Sequence, residues 1–406
     1  MKRPAPVSAG SHLACVVDRP MLVGACHQGV DGATGRGEPT VRSSMASAEL
    51  IHLGMDTSMN TIVVGVLRPG EEIPVVDRVF NDEESIRRLI GRFPDRRMLL
   101  ACYEAGSGGY ELYRLLSSMG VDCEVVAPSL IPKGSSDRVK TDKRDAIRLA
   151  RLHRAGELTA VRVPTPAEEA VRDLVRARVD VLDDRKGMEQ RLSAVLMRHG
   201  RIWRGGSTWT LAHRAWIGQQ VFDEPALQGV VATYRGGLAA REAELAAVEA
   251  ELARWAASPP LATMVARLGA FRGIAALTGM TLAAEVVDWR RFATARAFMG
   301  FCGLIPSEYS SGGRDRRGHI TKAGPVGVRT ALIEAAWAYQ HRPGIGVTLS
   351  RRQAGASAQT LARSWTAQQR LHATYQKMTR RGKPPGVAVV ALARELAGFV
   401  WAEMTS

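Results

Sequence analysis

The sequence has little of what disulfide-stabilised, zinc-binding or membrane-spanning proteins need. Five cysteines are scattered through 406 residues, at Cys15, Cys26, Cys102, Cys123 and Cys302. None forms a C-x-x-C pair, so neither a disulfide framework nor a zinc knuckle is indicated. No run reaches the roughly 18 apolar residues of a membrane span. The first apolar stretch is broken at Asp18 to Pro20, too early for a signal peptide. We therefore expect reduced thiols in the cytosol.

Acidic residues are also scarce relative to basic ones. The sequence has 40 Asp and Glu residues and 55 Lys and Arg residues, which gives a formal net charge of +15. Such an excess predicts a polyanionic partner, either nucleic acid or an anionic membrane surface. A continuous basic amphipathic helix with an aromatic face is missing, so nucleic acid is favoured over membrane.

The pattern of apolar and polar residues along the chain predicts an α/β domain followed by helical regions. Residues 1–47, rich in Gly, Pro, Ser and Ala, are interpreted as a poorly ordered extension, and Met45 is an alternative start. Over 48–160, three β-rich runs precede alternating helices and strands, which predicts a mixed sheet. Residues 161–258 predict two long helices, and 259–406 a mainly helical C-terminal domain.

The second long helix repeats leucine every seven residues, at Leu238, Leu245 and Leu252. This heptad spacing predicts either an antiparallel helical hairpin or a dimerising coiled coil. Further on, Gly273 and Gly279 are predicted to lie between two apolar helices. A helix-hairpin-helix with amides on a nucleic-acid backbone and an ordinary helical hairpin both fit that pattern.

Four carboxylates are the main candidates for chemistry. Asp56 and Glu104 each end an apolar run, and neighbouring strands would bring them to one edge of the sheet. Thr141 is a plausible N-cap, which makes Asp142 the first helical residue and puts Asp145 on the same face. A structural role remains open for each acid, because carboxylates in a first helical turn stabilise a helix by roughly 0.3–1 kcal/mol.

A cluster of four acids needs neutralisation. Two carboxylates about 4 Å apart repel by roughly 4 kcal/mol at an effective dielectric constant near 20. Mg²⁺, with Mn²⁺ as an alternative, is the usual neutraliser and would clamp a scissile phosphate. Basic residues around the acids would hold neighbouring phosphates: Lys133, Arg138, Lys140, Lys143 and Arg144.

A serine in a basic loop is the second candidate. Ser310 and Ser311 precede two glycines, and the stretch "SSGG" alone is more often a flexible turn than a nucleophile. The basic residues that follow strengthen the nucleophile interpretation, since attack on phosphorus builds up negative charge. They are Arg314, Arg316, Arg317, His319 and Lys322.

The motifs "GMDTSMNTIVVGV", "CYEAGSGGYELYRLL" and "APSLIPKGSSDRVKTDKRDAIRLARL" resemble the RuvC-like, ribonuclease-H-fold domain of the DEDD transposases of the insertion-sequence-110 family. The family's four acids fall on Asp56, Glu104, Asp142 and Asp145. Its serine, which becomes covalently joined to DNA and with the acids completes a composite active site, falls on Ser311, with Ser310 as the other register. The likeness begins near residue 50 and reaches the C-terminus.

The resemblance implies a DNA recombinase that breaks and rejoins strands through a phosphoserine intermediate. It also implies Mg²⁺, guidance by a structured RNA from the element, a homo-oligomer (dimer or tetramer), and a cytoplasmic, nucleoid-associated location. Basic charge suits DNA and RNA equally.

Three alternatives keep parts of this interpretation. A metal-dependent junction nuclease would use the acids with water as nucleophile. A non-catalytic nucleic-acid-binding protein would use only the charge. An actin-like ATPase shares a first strand ending in Asp and a hydroxyl residue, but no second phosphate-loop Asp-Gly motif follows a later strand.

Overall fold

In the computed structural model the described residues are 49–132, 141–308 and 317–406. They divide into two units, one ending at Val163 and the other beginning at Pro164.

The first unit is built on a five-stranded mixed sheet. Its strands are β1 Ile51–Thr57, β2 Thr61–Leu67, β3 Val75–Phe80, β4 Leu99–Glu104 and β5 Asp122–Val126. The order across the sheet is β3-β2-β1-β4-β5. The first three strands form the predicted antiparallel meander, and β4 and β5 run parallel to β1. The predicted mixed sheet is therefore present.

Three helices cover the two faces of this sheet: α1 Glu83–Ile90, α2 Glu111–Ser118 and α3 Asp142–Arg154. Because strand side chains alternate between faces, Leu53 and Met55 of β1 pack with the apolar residues of α1 and α2. On the opposite face Cys102 packs with Leu149 of α3. The central strands are thus buried on both sides, and α3 covers the side that Gly54 faces.

The second unit is mainly helical. Its helices are α4 Pro166–Arg198, α5 Leu211–Gly218, α6 Pro225–Ala256, α7 Leu261–Gly269, α8 Ala276–Val286, α9 Ala295–Phe301, α10 Val326–Ala336, α11 Val347–Gln353, α12 Ala358–Arg380 and α13 Pro385–Met404. A two-stranded antiparallel ribbon joins β6 Pro306–Glu308 to β7 Arg317–Ile320. Among the described residues no helix is both long and apolar enough to cross a bilayer.

The heptad leucines lie in an antiparallel hairpin formed by α4 and α6 within one chain. Arg178 of α4 pairs with Glu249 of α6 at 2.6 Å, and Asp184 lies 3.7 Å from Arg241. Residue numbers therefore increase along α4 while they decrease along the facing α6, so the two helices are antiparallel. The three leucines are buried. Leu238 belongs to a small core at the tip of the hairpin and Leu252 to the main core of the unit.

The connection between α7 and α8 differs from its prediction at one glycine. Gly273 lies in the connection with φ +84°, and a Cβ there would be 2.2 Å from the Ala335 carbonyl oxygen. Gly279 instead lies inside α8, where a Cβ would be in ordinary contact, at 3.4 Å, with Val265 of α7. The predicted place of Gly279 between the helices is therefore wrong, because α8 begins at Ala276 and includes this residue.

A buried carboxylate fastens the last helix. Glu403 is fully buried and accepts hydrogen bonds from Arg267 Nε at 2.9 Å, Thr360 Oγ1 at 2.8 Å, and Arg363. Burial alone would raise the pKa of Glu403, but these hydrogen bonds outweigh burial and hold the pKa below its ordinary value. A depressed pKa means that the stabilisation is present above the ordinary carboxyl pKa and is lost as the pH falls through the folded-state pKa.

We expect Glu403→Gln to lower the free energy of unfolding of this unit by about 2–3 kcal/mol, because two guanidinium groups lose a buried partner. Urea unfolding followed by circular dichroism measures it, and the difference from the wild type should shrink in acid. Glu395→Gln is the control, since Glu395 on the same helix pairs with the exposed Arg370 at 3.0 Å and should cost about 1 kcal/mol or less. Equal losses in both variants would contradict the assignment.

Candidate active site at the carboxyl edge of the mixed sheet

Two of the predicted acids end neighbouring parallel strands. β1 and β4 are in register with Met55 opposite Tyr103, so Asp56 and Glu104 follow as the next pair along the strands. Gly54 contacts α3, and the Cys102 thiol lies 3.8 Å from the Leu149 carbonyl oxygen. Because side chains on one face recur every second residue, Asp56 and Glu104 belong to the face that α3 covers. Both are partly buried.

The other two acids begin the helix on that face. The Thr141 hydroxyl accepts a hydrogen bond from the Arg144 amide at 3.3 Å and caps α3, as predicted. Asp142 is the first residue of the helix, and Asp145 lies one turn later. Both are in the first turn, where the helix dipole favours negative charge.

α3 runs antiparallel to β1, which brings its first turn to the level of Asp56. His52 contacts His153, and the Cβ position of Gly54 lies between Ala146 and Ala150. Two strand residues advance about 6.6 Å, which equals about four helix residues at 1.5 Å each. Asp56 therefore lies at the level of the turn from residue 142 to residue 145. The fold directs all four acids to one edge of the sheet.

Two glycines permit this close approach of helix and sheet. A Cβ on Gly54 would lie 2.3 Å from the Ala150 nitrogen and 2.5 Å from the Ala146 oxygen. A Cβ on Gly65, which pairs with Gly54 across β1 and β2, would lie 2.6 Å from the same Ala146 oxygen. These contacts are with helix backbone, so α3 could not come this near any larger residue. Both glycines belong to the motif "GMDTSMNTIVVGV", but their contact with α3 depends on tertiary packing and could not be predicted from the sequence.

The carboxylates themselves are in different states. Asp142 is largely exposed and lies 3.8 Å from the Arg78 guanidinium. Asp145 Oδ2 is buried and has no hydrogen-bond partner among the residues that the structure describes. Within those same residues, no three His, Cys, Asp or Glu side chains lie close enough together to hold one metal ion. The fold thus brings the two strand ends and the first turn of α3 together, but the described carboxylate groups do not form a metal cluster. Asp142 is paired with a guanidinium instead of with other acids.

The donor set nonetheless fits a hard divalent cation. Carboxylate oxygens are the ligands that Mg²⁺ and similar ions prefer. A buried polar atom left without a partner costs about 1–3 kcal/mol, and a cation beside Asp145 Oδ2 would offset that cost.

A cavity of about 810 Å³ opens at the same edge, and sequence reasoning missed it. Glu104 lines it together with the glycine-rich loop 106–109, between β4 and α2, and with Ser58 after β1. The Tyr103 hydroxyl donates to the Gly109 carbonyl oxygen at 3.0 Å and fixes the loop. Glycines here leave backbone accessible to a ligand. The sequence signal was "GSGG", which begins two residues after the acid that ends the strand.

A buried histidine pair at the other end of α3 was also missed. His52 Nδ1 lies 3.4 Å from His153 Nδ1, and His153 Nε2 lies 3.6 Å from a Glu124 carboxylate oxygen. The interaction with His153 holds the pKa of Glu124 below its ordinary value, against the opposing effect of burial. The pair ties α3 to β1 and β5 and so helps fix the helix whose first turn carries Asp142 and Asp145.

The predicted nucleic-acid-binding residues are only partly described. Lys143 and Arg144 are exposed in the first turn of α3, beside the acids. Lys322 is exposed, with φ +56°. Arg317 belongs to β7. The other predicted positions lie outside the described residues: Lys133, Arg138, Lys140, Ser310, Ser311, Arg314 and Arg316.

Comparisons with known proteins bear on both units. A family model for DEDD transposases of the IS110 group, described as "Transposase", matches residues 53–200. A second, described as "Transposase IS116/IS110/IS902 family", matches residues 265–346. The inferred transposase y4qE of Sinorhizobium fredii is 41% identical over 86% of this chain and 87% of its own length. The transposase for insertion sequence element IS1533 of Leptospira borgpetersenii is 32% identical over 82% of this chain and 98% of its own length.

A mixed sheet with acids at one edge, together with these matches, defines the class: a DEDD transposase, an enzyme that cuts and transfers DNA strands. A DEDD domain implies use of a divalent metal. The chain belongs to the IS110 family of insertion-sequence transposases. The predicted family and enzyme class are thereby confirmed.

Proposed function

We propose that Asp56, Glu104, Asp142 and Asp145 hold Mg²⁺, or Mn²⁺ in its place, during DNA cleavage. The observation that carries the proposal is the meeting of the β1 and β4 ends with the first turn of α3, where Asp145 Oδ2 is buried without a described partner. When bound, the ion supplies positive charge that neutralises the carboxylates and polarises the scissile phosphate. Lys143 and Arg144, exposed in the same turn, attract the adjoining phosphates.

We propose further that Ser311 is the nucleophile, with Ser310 as the other register. Its hydroxyl oxygen attacks phosphorus, a bond from serine to phosphorus forms, and the bond from phosphorus to one DNA oxygen breaks, while the proton of the serine hydroxyl passes to that departing oxygen. The phosphodiester is kept as a phosphoserine linkage, so rejoining needs no ATP. Arg314, Arg316, Arg317 and Lys322 follow closely in sequence and carry charge suited to the developing oxyanion. Family membership and the basic loop support this proposal.

The partners proposed are DNA, a structured guide RNA from the element and further copies of the chain. The formal charge of +15 supports a nucleic-acid partner. RNA guidance, oligomerisation and nucleoid association rest on the resemblance stated above.

The test of the metal site is Asp145→Asn. This change keeps the shape of the side chain but removes the charge, so we expect strand cleavage in Mg²⁺ to fall by about 10²- to 10³-fold. Without a divalent ion the free energy of unfolding should stay equal or rise, because a buried charged oxygen without a described partner is lost.

Cleavage of an end-labelled DNA spanning the joined ends of the element, with host RNA present, measures the first effect, and thermal unfolding in EDTA measures the second. Asp183→Asn is the matched control, because Asp183 is an exposed partner of Lys186 on α4 and should change neither quantity. Undiminished cleavage by the Asp145→Asn protein would contradict the proposed metal site.

A further inference from the structure

A second cavity, of about 400 Å³, lies in the helical unit, and the described residues that line it all have nitrogen-rich polar side chains. One wall is the segment Gln340, His341 and Arg342, which follows α10. The other wall is one face of α12, with His372, Gln376 and Arg380 spaced four residues apart. Among these lining residues there is no carboxylate, so the cavity suits an anion and not a cation. The α12 wall lies outside the segments matched by the family models.

The two walls are held together by hydrogen bonds. Arg272 donates to the Arg342 carbonyl oxygen at 2.7 Å, and the Gly344 amide donates to Gln368 of α12 at 3.0 Å. His372 Nδ1 lies 3.2 Å from the Tyr339 carbonyl oxygen, which can only accept, so Nδ1 carries the hydrogen. The ring orientation is therefore fixed and Nε2 is left for the cavity. A cavity held in this way is organised before its ligand arrives.

The cavity carries the positive charge of two guanidinium groups, those of Arg342 and Arg380. Within the described part of the chain neither Arg342 nor Arg380 forms an ion pair with a carboxylate. Arg370 on the same helix does form one, with Glu395 at 3.0 Å. Cations near a helix C-terminus are common because the dipole favours them, and this could account for Arg380. It does not account for Arg342, which comes from a different element.

We propose that this cavity binds a phosphate of a nucleic-acid backbone. Two guanidinium groups provide paired donors that match phosphate oxygens, and the glutamine amides can donate beside them. A phosphate within a polymer is favoured over a free anion, since the exposed Lys377, Arg381 and Lys383 extend the basic surface from Arg380. The proposal rests on the nucleic-acid partner proposed above and adds a contact that takes no part in strand cleavage.

The test is the binding of labelled duplex DNA and of labelled single-stranded RNA, both of arbitrary sequence, in EDTA so that no strand is cut. We expect Arg342→Gln and Arg380→Gln each to weaken binding about tenfold at low salt. The slope of log affinity against log salt should fall by about 0.9 for duplex DNA or about 0.7 for a single strand. Arg380→Lys should keep the slope, because it keeps the charge.

Arg370→Gln is the matched control and should change binding less than twofold, since Glu395 already neutralises that guanidinium. A loss of affinity for DNA alone or for RNA alone supports the proposed phosphate site and identifies which nucleic acid occupies it. An equal loss in Arg370→Gln, or unchanged binding in both cavity variants, overturns it. Tight binding of inorganic phosphate that is lost in Arg380→Gln, with nucleic-acid affinity unchanged, overturns it in favour of a free-anion site. The metal site is tested separately, by DNA cleavage with the Asp145→Asn protein. Failure of the cavity proposal can therefore be told apart from failure of the metal-site proposal.

Discussion

Replacing Ser311 by alanine is expected to abolish the covalent protein–DNA adduct and to reduce strand rejoining on the order of 10⁶-fold, the loss typical of removing a nucleophilic serine. The substitution deletes one oxygen, so the step that forms the serine–phosphorus bond has no attacking atom. The measurement uses purified protein, Mg²⁺, total host RNA and end-labelled DNA spanning the joined ends of the element. The readout is label that stays on the protein through denaturation.

Ser310→Ala is the matched control, since it makes the same change one residue earlier. Adduct formation should persist there, and its loss in Ser310→Ala but not in Ser311→Ala would move the nucleophile by one position. Cleavage without an adduct, equal in the wild type and both variants, would mean that water is the nucleophile. The protein would then be a metal-dependent nuclease that uses only the acids.

Gly54→Ala is expected to cause the largest structural effect of a single methyl group in the first unit. The new Cβ would lie 2.3 Å from the Ala150 nitrogen, whereas ordinary contact begins near 3.4 Å. The obstacle is helix backbone, so no side chain can rotate away and α3 must move by about 1 Å. Overpacking of this kind costs about 3 kcal/mol, and a 1 Å misplacement of catalytic groups costs about 10²-fold in rate. Urea unfolding and DNA cleavage measure the two effects.

Gly236→Ala provides the comparison for Gly54→Ala. Gly236 lies in the middle of α6, and a Cβ there meets no atom within 4 Å. Alanine should raise the free energy of unfolding by about 0.5–1 kcal/mol, because it has the higher helix propensity. Equal stability of the Gly54→Ala protein and the wild type would show that α3 does not depend on this close contact.

The elements of the first unit could be predicted from local patterns. β2 occupies Thr61–Leu67, the β-branched run "TIVVGVL", and Thr141 caps α3. The edge that gathers Asp56 and Glu104 followed from acids that end apolar runs, because parallel neighbours end at one side of a sheet. What could not be predicted depends on residues far apart in sequence. The fit of Gly54 against Ala146, the His52–His153 pair and both cavities are of this kind.

Two misses in the helical unit have local causes. α5, Leu211–Gly218, is eight residues long and follows a glycine- and tryptophan-rich stretch, which carried no helical period long enough to detect. The prediction that Gly279 lies between two helices is wrong because glycine usually disfavours helix interiors, whereas here it lies inside α8. The roles of Ser311 and of the basic residues around it stay predictions.

The α4–α6 hairpin has a consequence for how its length can change between relatives. Helices of 33 and 32 residues extend for about 48 Å. The hairpin has apolar cores at its base and its tip, and ion pairs such as Arg178–Glu249 and Asp184–Arg241 connect the helices between them. Seven residues gained or lost in both helices at that middle section would shift the tip by about 10.5 Å and keep the facing surfaces aligned. Whole heptads are therefore the steps in which this hairpin could be lengthened or shortened while both ends keep their packing.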